Sequence, residues 1–153
     1  GLLRVGLILR GPGVPTAKVL DDPVSTIDLA ATFGDYAGVP QPAASHSRSL
    51  RPLLDGVMGR YGSREHAYTE WRLGPARCGV ALDLRGVRTH NAKLTVELGS
   101  GAGELYDLYD DPHECVNRFD DPAARGFREE LMQRLMCRPD DIMDPLPATV
   151  GPA

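Results

Sequence analysis

The sequence predicts an α/β remnant, one sheet-edge strand followed by a helix, and after it an α+β subdomain whose roughly four-stranded antiparallel sheet is covered by a C-terminal helix. Three features predict it. One apolar run near the start, Arg4-Val5-Gly6-Leu7-Ile8-Leu9-Arg10, reads as a strand buried on both faces, and no companion strand follows it for more than fifty residues. From His66 onward, four short and often alternating runs succeed one another at turn-length intervals. A last amphipathic stretch opens at Asp120-Asp121-Pro122.

The first run closes at Gly11-Pro12-Gly13, a turn signal. A lone strand cannot satisfy its own backbone, so most of its sheet is expected outside this sequence. Ser25 and Asp28 stand at capping-box spacing before Leu29, Ala30, Phe33, Tyr36 and Ala37, with Gly38 as the stop, which predicts a helix over 26–37. Gly34 inside it costs about 1 kcal/mol relative to alanine, so packing must help hold that helix. Residues 39–48 carry no period and read as loop, and Ser49-Leu50-Arg51-Pro52-Leu53-Leu54-Asp55-Gly56 suggests one or two helical turns.

The four later runs are His66-Ala67-Tyr68-Thr69-Glu70-Trp71, Ala81 through Arg88, Lys93 through Leu98 and Glu104-Leu105-Tyr106-Asp107-Leu108. Thr89-His90-Asn91-Ala92 and Gly99-Ser100-Gly101-Ala102-Gly103 are the natural turns between them, since asparagine and glycine tolerate positive φ. In the final helix Asp120-Asp121 supplies the N-cap and Pro122 the first helical position, and Ala124, Phe127, Leu131 and Leu135 form the stripe that covers the sheet. The proline-rich residues after Asp141 show no packing pattern and read as a tail.

Hydrophobic residues at 42% and charged residues at 25% are globular values. A net charge of -4 gives no reason to expect a nucleic acid or an anionic membrane as partner, and no apolar run is long enough to span a membrane. Localisation stays open. Cys78, Cys115 and Cys137 are odd in number and far apart, which argues against a disulfide framework and a CxxC knuckle and leaves buried or bystander thiols. There is no GxSxG elbow, no HExxH and no P-loop. The acidic stretch Asp107 to Glu114 fails the EF-hand order, because Pro112 stands where that loop needs glycine, so it reads as a solvated turn with caps. The candidate binding residues are Glu70, Trp71 and Arg77: a carboxylate, an aromatic platform and a guanidinium that together suit an anionic or sugar ligand. His90 and Lys93, on a hairpin, are explained by solvent exposure.

Val5-Gly6-Leu7-Ile8-Leu9-Arg10-Gly11-Pro12-Gly13 and Asp22-Pro23-Val24-Ser25-Thr26-Ile27-Asp28-Leu29-Ala30 resemble late catalytic-domain segments of type I, formylglycine-dependent sulfatases. More specific are Val87-Arg88-Thr89, Lys93-Leu94, Glu104-Leu105-Tyr106-Asp107-Leu108, Asp111-Pro112-His113-Glu114 and Asn117, which are similar to that family's C-terminal subdomain. The resemblance implies an alkaline-phosphatase-like sheet edge ending a catalytic domain over 1–60, a C-terminal subdomain over 61–140 and a tail over 141–153. It implies hydrolysis of a small sulfated substrate by a formylglycine assisted by a divalent cation, usually calcium. It also implies that neither group is held here: no C/S-x-P-x-R occurs in the chain, and Cys137-Arg138-Pro139 does not supply one. The catalytic residues are therefore expected in an N-terminal catalytic domain, this chain contributing a sheet edge and one wall of the substrate cleft. Glycine rather than methionine at position 1 agrees with that expectation. The alternative is a free-standing, non-catalytic binding or interaction module derived from the same subdomain.

Overall fold

The computed structural model describes residues 5–42, 45–57, 64–75 and 79–139, and the chain divides into two compact units, Gly1–Ala67 and Tyr68–Ala153. The residues expected as a tail lie outside the described ones.

In the first unit the predicted opening strand does not form: residues 5–10 have no regular secondary structure, and Ile8 is 93% exposed. A strand needs neighbours to take up its N–H and C=O groups, and among the described residues of this unit there are none. Residues 9–14 instead lie by helix α1 (Asp28–Ala37), where Leu9, Pro12, Val14, Thr32, Phe33 and Tyr36 line a cavity of about 130 Å³. Helix α1 starts two residues later than the capping spacing predicts. Only one half of the box is made: the Asp28 carboxylate accepts the Ser25 N–H at 3.0 Å, while the N-cap position, Ile27, has no side-chain bond to offer. Gly38, at φ 70°, ends the helix as expected. A Cβ at Gly34 would displace the Gln41 side-chain amide and crowd Val39 O at 3.2 Å.

Helix α2 (Arg51–Leu54) is tied to α1 by Thr32, whose hydroxyl donates to Asp28 O at 2.6 Å and accepts the Leu50 N–H at 2.9 Å. Its C-terminal carbonyls, Leu53 O and Leu54 O, take the Lys18 ammonium at 2.9 and 2.8 Å.

The predicted meander forms from β1 (His66–Leu73), whose first two residues belong to the first unit, and, in the second, β2 (Leu82–Thr89), β3 (Ala92–Glu97) and β4 (Gly103–Asp107), neighbours in chain order. Val87 pairs with Leu94 and Leu94 with Leu105, so strand alternation turns Arg85, Val87, Ala92, Leu94, Val96 and Leu105 to one face. Helix α3 (Arg125–Met136) covers that face with Leu131 and Leu135. Each such buried leucine or valine stabilises the unit by about 1.5–3 kcal/mol. The helix is entered through a short 3₁₀ turn, Pro122–Ala124, capped as predicted: Asp121 Oδ1 accepts the Ala123 N–H at 2.8 Å. Of the predicted stripe, Ala124, Leu131 and Leu135 are buried and Phe127 is half-buried against the core.

Two side chains finish the sheet. Asn117 covers the free edge of β4, its amide accepting the Leu105 N–H at 2.9 Å and donating to Gly103 O at 3.0 Å. Glu97 organises the β3–β4 turn by accepting the N–H groups of Gly99 and Ser100 and the Ser100 hydroxyl, while Gly101 takes the positive φ. The β2–β3 turn does not use the left-handed conformation that asparagine would tolerate; Thr89 Oγ1 bonds to Asn91 Oδ1 at 3.1 Å instead.

Candidate functional site

Strand β1 carries two of the three candidate residues, and its pleat sends them to opposite faces. Tyr68 reaches the helix side, its hydroxyl donating to Arg134 O at 2.9 Å, and Glu70, two residues on, faces the same way. There Glu70 Oε1 pairs with Arg85 Nε at 3.2 Å and Arg138 Nε at 3.6 Å. Asp83 pairs with Arg85 and, at 3.4 Å, with Arg72 Nε. The result is a chain of alternating charges, Arg138–Glu70–Arg85–Asp83–Arg72, with a fully buried guanidinium at its centre. Residue types alone could not reveal this arrangement. Glu70 is committed to ion pairs within the fold, while Trp71 faces away from α3 and is 38% exposed. It shares that face with Thr69, whose hydroxyl lies against Gly86, where a side chain would collide with it. Arg77 and Cys78 lie outside the described residues.

Lys93 is less exposed than its hairpin position suggests. Its ammonium pairs with Glu114 and sits 5.0 Å from the centre of the Tyr106 ring, leaving it mostly covered. Glu114 itself holds a left-handed backbone, φ 56°, and its other carboxylate oxygen is 4.0 Å from Arg88. Burial, with Glu104, Glu114 and Asp111 nearby, raises the Tyr106 pKa. The acidic stretch before Glu114 forms the capped turn expected of it: Asp107 accepts the Tyr109 N–H at 3.0 Å and Asp111 the Val116 N–H at 2.8 Å. Backbone N–H groups of Cys115 and Val116 hold the Asp111 pKa down.

In the first unit the Asp28 carboxylate, expected only as half of a capping box, is buried and accepts Arg64 Nε at 2.9 Å, the Arg48 N–H at 2.9 Å and the Ser25 N–H at 3.0 Å. Burial alone would raise its pKa, but these bonds outweigh burial and lower it. A signal was present in Asp28 as a first-turn helix residue, yet its arginine partner is 36 residues away.

Among the described residues no group of three or more His, Cys, Asp or Glu side chains is placed to hold a metal ion. Cys115 and Cys137 are free and exposed, so bystander rather than buried thiols. Cys137-Arg138-Pro139 begins as the formylglycine motif does, but its fifth position is Asp141 instead of arginine. The sequence thus holds no formylglycine motif, and the described residues form no cluster for a cation. Trp71 presents a partly exposed indole on β1.

Comparison with known proteins places this architecture. A solved 2-O GAG sulfatase superposes on 82% of the chain with a TM-score of 0.72 and 32% identity, the match covering 27% of that structure. An N-acetylglucosamine-6-O-sulfatase of Bacteroides thetaiotaomicron is 33% identical over 136 residues, 86% of the chain and 24% of the relative. An extracellular sulfatase SULF-1 homolog of Drosophila melanogaster is 31% identical over 115 residues, 67% of the chain and 10% of the relative. A phosphonate monoester hydrolase from Silicibacter pomeroyi, at 24% identity and a TM-score of 0.68, shares the fold. The helix-covered meander is thus the C-terminal part of a sulfatase in the alkaline-phosphatase superfamily. The family model described as N-sulphoglucosamine sulphohydrolase, C-terminal, matches residues 2–140, and the chain belongs to that family. It spans about a tenth to a quarter of the length of these curated relatives.

Proposed function

We propose that this chain serves a sulfuric ester hydrolase acting on sulfated sugars, in which it forms a wall of the substrate cleft while a preceding catalytic domain supplies the nucleophile and the divalent cation. The family match over residues 2–140 carries the reading. The sugar-sulfate substrate class is supported by the relatives named for N-acetylglucosamine-6-O-sulfate and hexuronate-2-O-sulfate chemistry, and by a 32% identical structure described as a complex with D-glucosamine-2-N,6-O-disulfate. When bound, a divalent cation in such an enzyme offsets charge on the sulfuryl oxygens. No described residue here is assigned to hold it.

Within this reading Trp71 is the contact residue, because its ring stands open on the sheet face and aromatic faces pack against sugar rings. Glu70 acts from the other face, through its arginine partners, and Arg77 follows between β1 and β2 in the sequence. The test is steady-state kinetics of the full-length protein on a sulfated glucosamine. Trp71→Ala is expected to lower kcat/KM about tenfold, chiefly through KM, the loss of one stacking contact of about 1.4 kcal/mol. Kinetics unchanged in Trp71→Ala, Glu70→Ala and Arg77→Ala alike, with folding intact, would remove the cleft-wall reading.

A further inference from the structure

We infer that Arg85 is a positioning residue: from inside the fold it fixes, through Glu70, the strand that presents Trp71 on the opposite face. The role assigned to Trp71 rests on the proposed function above; the positioning itself does not.

Arg85 is fully buried beneath the sheet, next to the apolar core of Val87, Leu94 and Leu105. Its Nε lies 3.2 Å from Glu70 on β1 as an ion pair without hydrogen-bond alignment, its Nη1 pairs with Asp83 and bonds to Leu84 O at 3.2 Å, and neither Nε nor Nη2 makes a hydrogen bond. Burying a guanidinium is costly. Replacement of such a group by an apolar residue of similar volume is often neutral or stabilising, so stability is a poor reason for its presence. A positioning role fits better, because a buried cation between two carboxylates holds both of them close by charge. Those carboxylates lie on different strands: Glu70 on β1 and Asp83 on β2. At its far ends the charge chain takes in Arg72 on β1 and Arg138 just beyond α3, so it ties the strand carrying Trp71 to β2 and to the end of the covering helix. Glu70 and Trp71 are consecutive, and in a strand the placement of one side chain sets that of the next.

Trp71 is the only tryptophan in the 153-residue chain, so its fluorescence reads the proposal directly. The experiment compares emission and acrylamide quenching of wild type, Arg85→Met, Arg85→Lys and Glu70→Gln in this chain, with far-UV circular dichroism confirming folding. Glu70→Gln keeps the side-chain volume while weakening the ion pairs, and it decides the matter even where Arg85→Met does not fold. The expected result is a red-shifted emission and stronger quenching in Glu70→Gln and in folded Arg85→Met, with Arg85→Lys between them and wild type because a compact ammonium keeps the charge but does not stand beside both carboxylates at once. A purely structural residue would lower the melting temperature and leave native Trp71 emission untouched. Native emission and quenching unchanged in folded Glu70→Gln would overturn the inference. Because no turnover is measured, failure here is distinguishable from failure of the proposed function, which Trp71→Ala kinetics tests separately.

Discussion

Asp28→Asn should destabilise the first unit far more than its nearly identical shape suggests. The carboxylate is fully buried, and both of its oxygens face donors. Oδ1 accepts from Arg48 N–H at 2.9 Å and Arg64 Nε at 3.1 Å; Oδ2 accepts from Ser25 N–H at 3.0 Å and Arg64 Nε at 2.9 Å. An asparagine must turn its NH₂ toward one of these sets, so in either orientation a donor meets a donor and a backbone N–H is stranded. Removing one partner of a buried ion pair costs about 3–5 kcal/mol. Arg64 retains some contact with water and can regain solvation, which favours the lower end, about 3 kcal/mol, a large share of the roughly 5–15 kcal/mol that holds a domain together. The pH dependence has a definite sign. Since the folded pKa lies below the ordinary value of 3.8, protonation favours the unfolded chain; the contribution is complete above pH 3.8 and is lost as pH falls through the lower, folded value. Urea denaturation followed by circular dichroism, with amide exchange of α1 as the local probe, measures both effects. A variant within about 0.5 kcal/mol of wild type, the range of ordinary surface substitutions, with the same acid-unfolding midpoint would refute the reasoning.

Asn117→Ala removes both bonds that close the β4 edge and should cost about 1–3 kcal/mol in urea denaturation, with faster amide exchange at Leu105. Glu97 should titrate at about 2, held down first by the Ser100 hydroxyl and then by the Ser100 and Gly99 N–H groups. The turn bonds it makes are fully supported above the ordinary 4.5 and lost as pH falls through about 2, so an NMR titration of its carboxyl carbon with a midpoint near 4.5 would contradict that geometry.

The second unit was legible because most of its strands carry their own pattern and the glycine-rich β3–β4 turn its own chemistry. Asp121-Pro122 is a local device, and it caps α3 as its sequence predicts. The opening strand was legible as a strand type only; strands are completed by partners, and the described residues of its unit contain none. Alternation in β2 is ambiguous, since Leu82 and Leu84 compete with Val87 for the inner face. Pairing of Val87 with Leu94 resolves it and carries Arg85 inward. Long-range polar contacts were the least legible. Asn117 on the β4 edge and Arg64 on Asp28 depend on separations of 12 and 36 residues, which no local pattern encodes. The same holds for Glu70 and Trp71, which look like one site in sequence and stand on two faces in the fold.

The proposed division of labour, with the binding wall here and the nucleophile upstream, is tested most directly by determining the coding sequence before Gly1 and reading it in frame. The account predicts a C/S-x-P-x-R motif preceded by an acidic pair. An in-frame stop followed by a start codon close to Gly1 would contradict it and leave a free-standing module without a hydrolase's nucleophile.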